Sequence, residues 1–442
     1  MEKNEIESKQ EEPTTFESTL EAWNSLSRDD RLSAFESLNR ADSDELFLSL
    51  NSLDQAEVFQ IFGTPTRRSL IRLLAPDDAA DLIQELDETE RAEALDLLDV
   101  RTKREVSALL AYKEDQAGGL MNPRFARIRP DMTVVSALEY LRMQARDQVE
   151  TLRYLYILDF DQKLHGVVSL RQLFAADPAT LITDLAEKDV ISVAEDLDQE
   201  EVSRLFSQYD LMAIPVLDNE GRMKGIVTLD DIVNVVQEEA TEDIQKFGAQ
   251  EVLENPYLRT GYFEMFRKRF TWLVLLFMGS TLTATAMSAF EHQIKAIIAL
   301  TIFIPLIISS GGNSGSQAAT LIVRAIALGE LRLQDWWRVL LRELVVGLSL
   351  GLGLGILGYL RIAFWPGSEA LYSTLYFDVA LTVGISVVGV VLWGSLVGAM
   401  LPFMLRMLKL DPATASAPMV STLVDVVGIM IYFLVATIIF AI

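Results

Sequence analysis

From Phe270 to Ile442 the sequence falls into five apolar stretches, at about 270–290, 295–326, 340–362, 375–405 and 414–442. Each is long enough for a helix to cross a bilayer core, which takes about 20 residues. No water in hydrocarbon is free to bond the main chain, so such stretches must close their own hydrogen bonds as helices. This constraint splits the chain in two. Of 38 Lys/Arg and 63 Asp/Glu, eight of each lie from Phe270 onward, so the net charge of −25 belongs to residues 1–269. An acidic surface of that kind disfavours nucleic acid, whose binding needs basic patches. It favours cations or plain solubility. There is no cysteine, and there are two histidines, His165 and His292. Thiolate and zinc sites are therefore not expected. Oxygen donors remain, and they suit hard cations such as Mg²⁺ or Ca²⁺. The N-terminus is acidic and lacks an apolar run, so no cleavable signal peptide is expected.

The basic residues predict an orientation. Arg259, Arg267, Lys268, Arg269, Arg324, Arg332, Arg338, Arg342, Arg406 and Lys409 flank alternate ends of the five stretches; Lys295 and Arg361 flank the others. Ten against two places the N-terminal half in the cytosol and the C-terminus outside, in the cell (inner) membrane.

Two of the stretches carry polar chemistry. Asp425 stands near the middle of the last one. A carboxylate at bilayer depth costs about 2.5–3.5 kcal/mol on insertion scales and is tolerated where it meets water, protein or a cation. Helical spacing puts Ser421, Thr422, Gly428 and Tyr432 on its face, and Leu423, Val427, Met430 and Leu434 opposite. Asp425 is thus either a pore-lining acid or a carboxylate bonded between helices. The second stretch reads IPLIISSGGNSGSQAATLIVRA from Ile304. Pro305, Gly311, Gly312 and Gly315 are expected to weaken its helix, and Asn313, Ser314, Ser316 and Gln317 put polar groups at membrane depth. Such groups are tolerated inside protein or along a water-filled cavity. In the third stretch Gly347, Gly351 and Gly355 are spaced for close helix packing.

In the acidic half, short apolar-periodic pieces recur every 11–13 residues between Thr19 and Leu110, with Asp54, Thr66, Asp77, Asp87 and Thr102 as expected N-caps. This predicts a stack of short helices. Residues Arg127–Glu239 hold a repeat. DMTVVSALEYL (from Asp131) is echoed by DLDQEEVSRLF (from Asp196), and YILDFDQKLHGVVSLRQL (from Tyr156) by IPVLDNEGRMKGIVTLDDI (from Ile214). Each copy reads turn, helix, strand, acidic turn, strand, helix. The pair resembles tandem cystathionine-β-synthase-type (CBS) modules, which implies regulation by an adenine nucleotide or an ion. The nucleotide motif of such modules has Ser/Thr followed three residues later by an acid. Thr228 and Asp231 fit; Ser169 and Gln172 do not. A polar helical segment follows from Asn234 to Asn255, with Gly248 as a stop.

Taken together, YKEDQAGGLM (Tyr112–Met121), the CBS pair, EEATEDI (Glu238–Ile244), PLIISSGGNSGSQAATL (Pro305–Leu321) and DPATASAPMVSTLVDVVGIMIYF (Asp411–Phe433) resemble the MgtE-type magnesium channels. The resemblance implies a multi-domain fold: an all-α N-terminal helical superhelix, tandem α/β CBS modules, a connecting plug helix and a five-helix transmembrane domain. The corresponding boundaries are a mobile tail at 1–18, an acidic helical domain at 19–126, CBS modules at 127–185 and 186–239, a plug helix at 240–266 and the transmembrane domain at 267–442. It further implies a homodimer whose pore lies on the two-fold axis, lined by the second and fifth spans. Asp425, Ser421, Asn313, Gln317 and Gly312 are the candidate pore residues. Asp77, Asp81, Glu200, Asp210, Asp231, Glu239, Glu242 and Asp243 match the family's regulatory metal positions, and Thr228 with Asp231 the nucleotide position. Ala417, Ser316 and Asn234 depart from residues that other members carry.

The expected function is a Mg²⁺-selective channel that imports magnesium and is closed by cytosolic Mg²⁺ bound between its acidic domains. Its expected partners are Mg²⁺, a second copy, membrane lipids and, as a regulatory ligand, ATP. The alternative is a secondary transporter with broader selectivity, including Co²⁺ and Mn²⁺; no inverted repeat is visible in the five spans, against the usual transporter build. A non-transporting sensor with a membrane anchor fits the polar second span poorly. With no Walker loop, HExxH or nucleophile elbow, catalysis is not expected.

Overall fold

The computed structural model describes residues 16–146, 149–253, 255–364 and 375–441; the tail expected at 1–18 lies outside it up to residue 15. Two compact units meet in sequence between Gln237 and Glu238.

The first unit begins with eight short helices: α1 (Phe16–Ala22), α2 (Arg28–Ser37), α3 (Arg40–Ser49), α4 (Ser52–Ile61), α5 (Thr64–Ile71), α6 (Pro76–Gln84), α7 (Glu88–Leu97) and α8 (Val100–Leu109). Four of the five expected starts lie earlier than the acidic and threonine positions suggest. Asp87 caps α7 as expected, accepting from Glu90 N. The other side-chain caps are Ser27, Asn39, Asn51 and Asp99. Asp54 and Thr102 instead present the N–H groups that Asn51 and Asp99 accept. The cap accepts from the residue two or three places on, so the notable polar residue sits one turn inside the helix. In α5 and α6 Pro65 and Pro76 occupy the first turn, with no side-chain cap; proline suits that turn because its missing N–H is one of the unbonded donors there.

After α9 (Ala117–Leu120) come the two repeats. The first comprises β1 (Arg127–Ile128), α10 (Val134–Gln144), β2 (Tyr154–Leu158), β3 (Leu164–Ser169), α11 (Leu170–Ala175) and α12 (Ile182–Leu185). The second comprises β4 (Val193–Ala194), α13 (Gln199–Tyr209), β5 (Ala213–Leu217), β6 (Met223–Thr228) and the start of α14 (Leu229–Phe247). Each sheet has one parallel and one antiparallel pairing, and the antiparallel register shifts at matching places, Ile157/Leu158 and Val216/Leu217. Each acidic turn is closed by its own aspartate. Asp159 Oδ1 accepts from Asp161 N and Lys163 N, and Asp218 Oδ1 from Glu220 N and Arg222 N, each at 2.9 Å. The α14 helix is continuous across residue 240 and ends at Phe247, beside Gly248.

The second unit contains α15 (Tyr262–Ala289), α16 (Glu291–Ala296), a 3₁₀ segment at Ile298–Phe303, α17 (Ile304–Ala327), α18 (Trp336–Ala363), α19 (Tyr376–Met407) and α20 (Ala417–Phe440). Five of these segments are long and apolar enough to cross a membrane. The first span starts eight residues before the apolar stretch, because the aromatic and basic segment from Tyr262 continues the same helix. Helix α17 is unbroken, against expectation. Pro305 sits in its first turn, where it starts a helix without cost. The glycines serve close packing instead of irregular backbone. A Cβ at Gly394 would lie 2.2 Å from the Gly311 carbonyl oxygen, and one at Gly398 2.0 Å from that of Gly315. The hydroxyls of Ser314 and Ser395 meet at 2.7 Å in the same buried contact.

This contact generates a prediction. Gly398→Ala has no side chain to move out of its way and should destabilise the detergent-solubilised protein by about 1–3 kcal/mol, the usual range for overpacking. Gly353→Ala, which meets nothing within 4 Å, should be neutral or stabilising. Equal thermal midpoints for the two variants would contradict the contact.

Candidate functional site

The polar residues of α17 divide between two faces. Gly311, Gly312, Ser314, Gly315, Ala318 and Ala319 are buried. Ser309, Asn313, Gln317 and Thr320 are exposed. They follow one another at three- and four-residue steps and so share one stripe. Asn313 Nδ2 donates a long bond to Ser309 Oγ at 3.4 Å, along the stripe.

Helix α20 lies beside this face. Its first turn is capped by the fully buried Ser416, which accepts from Met419 N. Ser316 Oγ donates to Ala417 O at 3.4 Å, joining the two helices. One turn on, a Cβ at Gly312 would lie 2.6 Å from Ser421 Oγ, so Gly312 makes room for that hydroxyl. Asp425 follows one turn later. It is partly buried, and its Oδ1 is buried with no hydrogen-bond partner among the described residues. The reading of Asp425 as a carboxylate bonded between helices therefore lacks its bonds on that oxygen.

The residues expected on the Asp425 face do not act alike. Thr422 Oγ1 donates to Pro418 O at 2.9 Å within its own helix. Gly428 is buried under Val390. Tyr432 is fully buried and donates to Leu300 O at 2.8 Å, which ties α20 to the 3₁₀ segment before α17. Spacing alone could not separate these, because a helix face says nothing of which neighbour covers it. Leu423, Met430 and Leu434 on the opposite face are exposed, as membrane-facing side chains should be.

In the first unit, Asp77 and Asp231 come within electrostatic reach of each other. Asp77 is buried, and its Oδ1 accepts from Asn122 Nδ2 at 3.1 Å; the same amide donates to Glu150 Oε2 at 2.7 Å. Burial, then Asp231, Asp78 and Glu150, hold the Asp77 carboxyl well above the usual range. Burial also pushes Asp231 up to about 7 against the bonds from Thr228, and Asp230 and Asp78 add to the rise. Asn122, Glu150 and Asp230 were missed by sequence reasoning. The paired acids Asp77/Asp78 and Asp230/Asp231 were the available signal. Asp81 lies on α6, one turn after Asp77, while Glu200 and Asp210 are exposed near either end of α13. In the second unit Glu239, Glu242 and Asp243 share the end of α14. Among the described residues no group of three or more His, Asp or Glu converges closely enough to hold a metal ion.

The Thr228 motif has a structural role. Thr228 N and Oγ1 lie 3.1 and 2.7 Å from Asp231 Oδ2, which builds the start of α14. Ser169 and Gln172 make the same arrangement in the first module, at 2.8 and 2.7 Å. The amide of Gln172 thus replaces the acid without altering the cap.

The sequence matches the divalent cation transporter family MgtE over residues 304–435, the MgtE intracellular N domain over 15–115, and the CBS domain over 117–178 and 182–238. It is 45% identical over 335 residues to "Magnesium transporter MgtE" of Thermus thermophilus, covering 76% of this chain and 72% of that one. The chain belongs to the MgtE family. A second member, from Enterococcus faecalis, is 34% identical over 337 residues, 75% of this chain and 71% of that one. Among solved structures, "the cytosolic domain of the Mg2+ channel MgtE in complex with ATP" is 40% identical, covers 50% of this chain and 90% of that one, and superposes with a TM-score of 0.46.

The acid cluster sets a pH dependence. Asp77 and Asp231 hold their protons to higher pH in the folded chain than in the unfolded one. The cost of ionising these buried, mutually repelling carboxyls is thus absent below the unfolded carboxylate pKa, about 3.9, and for Asp231 it sets in as pH rises through about 7. Stability falls as pH rises through that window. Asp231→Asn should flatten the fall and raise the thermal midpoint at pH 8 by about 2–4 °C, the shift for ~1 kcal/mol in a unit of this size. A midpoint that falls with the same slope in both proteins would refute the repulsion.

Proposed function

We propose that the chain is a Mg²⁺-selective channel that works as a homodimer and imports magnesium across the cell membrane, with its acidic N-terminal half in the cytosol and its C-terminus outside. The observation that carries this reading is the exposed stripe of Ser309, Asn313, Gln317 and Thr320 on a helix long and apolar enough to span a membrane. Lipid cannot satisfy these groups. A second copy closing on the same face would enclose them around water and bring two Asp425 carboxylates to one axis. Mg²⁺ surrenders its water reluctantly. A pair of carboxylates reaching its waters, with Asn313 and Gln317 as further donors and acceptors, suits a hydrated ion.

Closure would come from the cytosolic half. Two copies carry a formal charge of −50. Compaction of acidic domains is opposed by repulsion unless cations intervene. Mg²⁺ at Asp77, Asp81, Glu200, Asp210, Asp231, Glu239, Glu242 and Asp243 would favour the compact, closed state by its extra affinity for that state. The lifted carboxyls of Asp77 and Asp231 support this, because a divalent cation would relieve the same repulsion. ATP enters as a regulatory ligand of the second CBS module, near Thr228 and Asp231.

Flux into proteoliposomes tests both parts. Asp425→Asn should reduce Mg²⁺ flux by at least ~100-fold, the order of ~3 kcal/mol of lost ion stabilisation; normal conduction would sink the pore assignment. Deleting residues 1–250 should leave flux that no longer falls as cytosolic Mg²⁺ rises, and retained inhibition would count against gating by the acidic half.

A further inference from the structure

Lys246 is the penultimate residue of α14, and its ammonium sits between carboxylates of two chain segments. Its Nζ donates to Asp411 Oδ2 at 2.7 Å, across the 165 residues that separate them, and it is also paired with Glu242 one turn earlier on its own helix. The pair is partly withdrawn from water, with side-chain exposures of 26% for Lys246 and 36% for Asp411. Asp243 is adjacent, and its carboxyl is pushed up to about 6 by burial, Asp411 and Glu239. Burial alone would lower the Lys246 ammonium; the bonds to Asp411 and Glu242 overcome it and hold the group above the usual lysine range. Without that ammonium, Glu242 and Asp243 on the helix would face Asp411 with like charge.

Asp411 is also structurally engaged on its other side. Its Oδ1 accepts from Ala413 N at 2.8 Å, and its carbonyl accepts from Thr414 Oγ1 at 2.6 Å and from Thr414 N at 3.2 Å. These bonds build the 3₁₀ turn Pro412–Thr414, which leads directly into the Ser416 cap of α20. One residue therefore joins the end of α14 to the start of the helix that carries Asp425. The segment after α14 is anchored too: Gln245 Oε1 accepts from Leu253 N at 2.7 Å, and Lys268 Nζ on α15 donates to Val252 O at 2.6 Å.

We propose that Lys246 is a positioning residue, a tethered cation that latches the end of α14 to Asp411 and so couples that helix to the start of α20. The latch deepens the gating reading above and rests on it for its effect on flux. An internal ammonium holds the two segments together at any Mg²⁺ concentration, which biases the chain toward the closed arrangement before metal binds.

The test uses the full chain in proteoliposomes, with Mg²⁺ varied on the cytosolic side. Lys246→Gln and Asp411→Asn should each raise the half-inhibiting Mg²⁺ concentration about five-fold, the equivalent of one partly exposed ion pair. The double variant should shift no further than either single one. An unchanged or lowered half-inhibiting concentration in Lys246→Gln would overturn the coupling, since a lysine that only competed with Mg²⁺ would shift it downward on removal. Hydrogen exchange of residues 238–253 in Mg²⁺-free protein provides a readout independent of gating. It should be faster in Lys246→Gln than in the unaltered chain, and equal exchange would overturn the latch. If the unaltered chain showed no inhibition by cytosolic Mg²⁺, the gating reading would fail, while exchange would still decide the contact.

Discussion

The second unit depends on one close approach of backbones, where α17 and α19 cross at Gly311/Gly394 and Gly315/Gly398. In a bilayer there is little hydrophobic force between helices, so packing of this kind supplies much of their attraction. It also decides which way α17 is turned. The small residues are used up against α19 and α20, and the longer polar side chains, Asn313 and Gln317, are left on the remaining face. The position of the polar stripe is thus a consequence of where the glycines are, before any ion is considered.

The first unit is organised by a different constraint. Its helices and sheets bury apolar side chains in the ordinary way, but several acids are gathered around Asn122. Asn122 is also bonded through its main chain to Ile226, so it fixes the place where the carboxylates meet. Such a cluster is a cost to the folded state at neutral pH.

Much of this was legible in the sequence. The five spans follow from length and hydropathy, and the two modules from the repeat, down to the matching register shifts in their sheets. The starts of α4 and α8 lie a turn before Asp54 and Thr102, because a cap and the residue that it bonds are both polar and only geometry tells them apart. Helix α17 was expected to be weakened, since glycine and proline signal breaks in water; within a packed bundle the same residues permit contact. Asp425 stands out in the sequence by its charge alone. Lys246 and Asp411 went unnoticed because their partnership spans 165 residues and each looks ordinary in its own segment.

The two modules share one way of starting a helix, built on Ser169 with Gln172 in the first and on Thr228 with Asp231 in the second. An amide and a carboxylate do the same geometric work there. Fold and charge are therefore separable at this position: the backbone is indifferent to whether the anion is present. A duplicated domain with that property can carry an anion in one copy and a neutral group in the other, with no change of architecture between them.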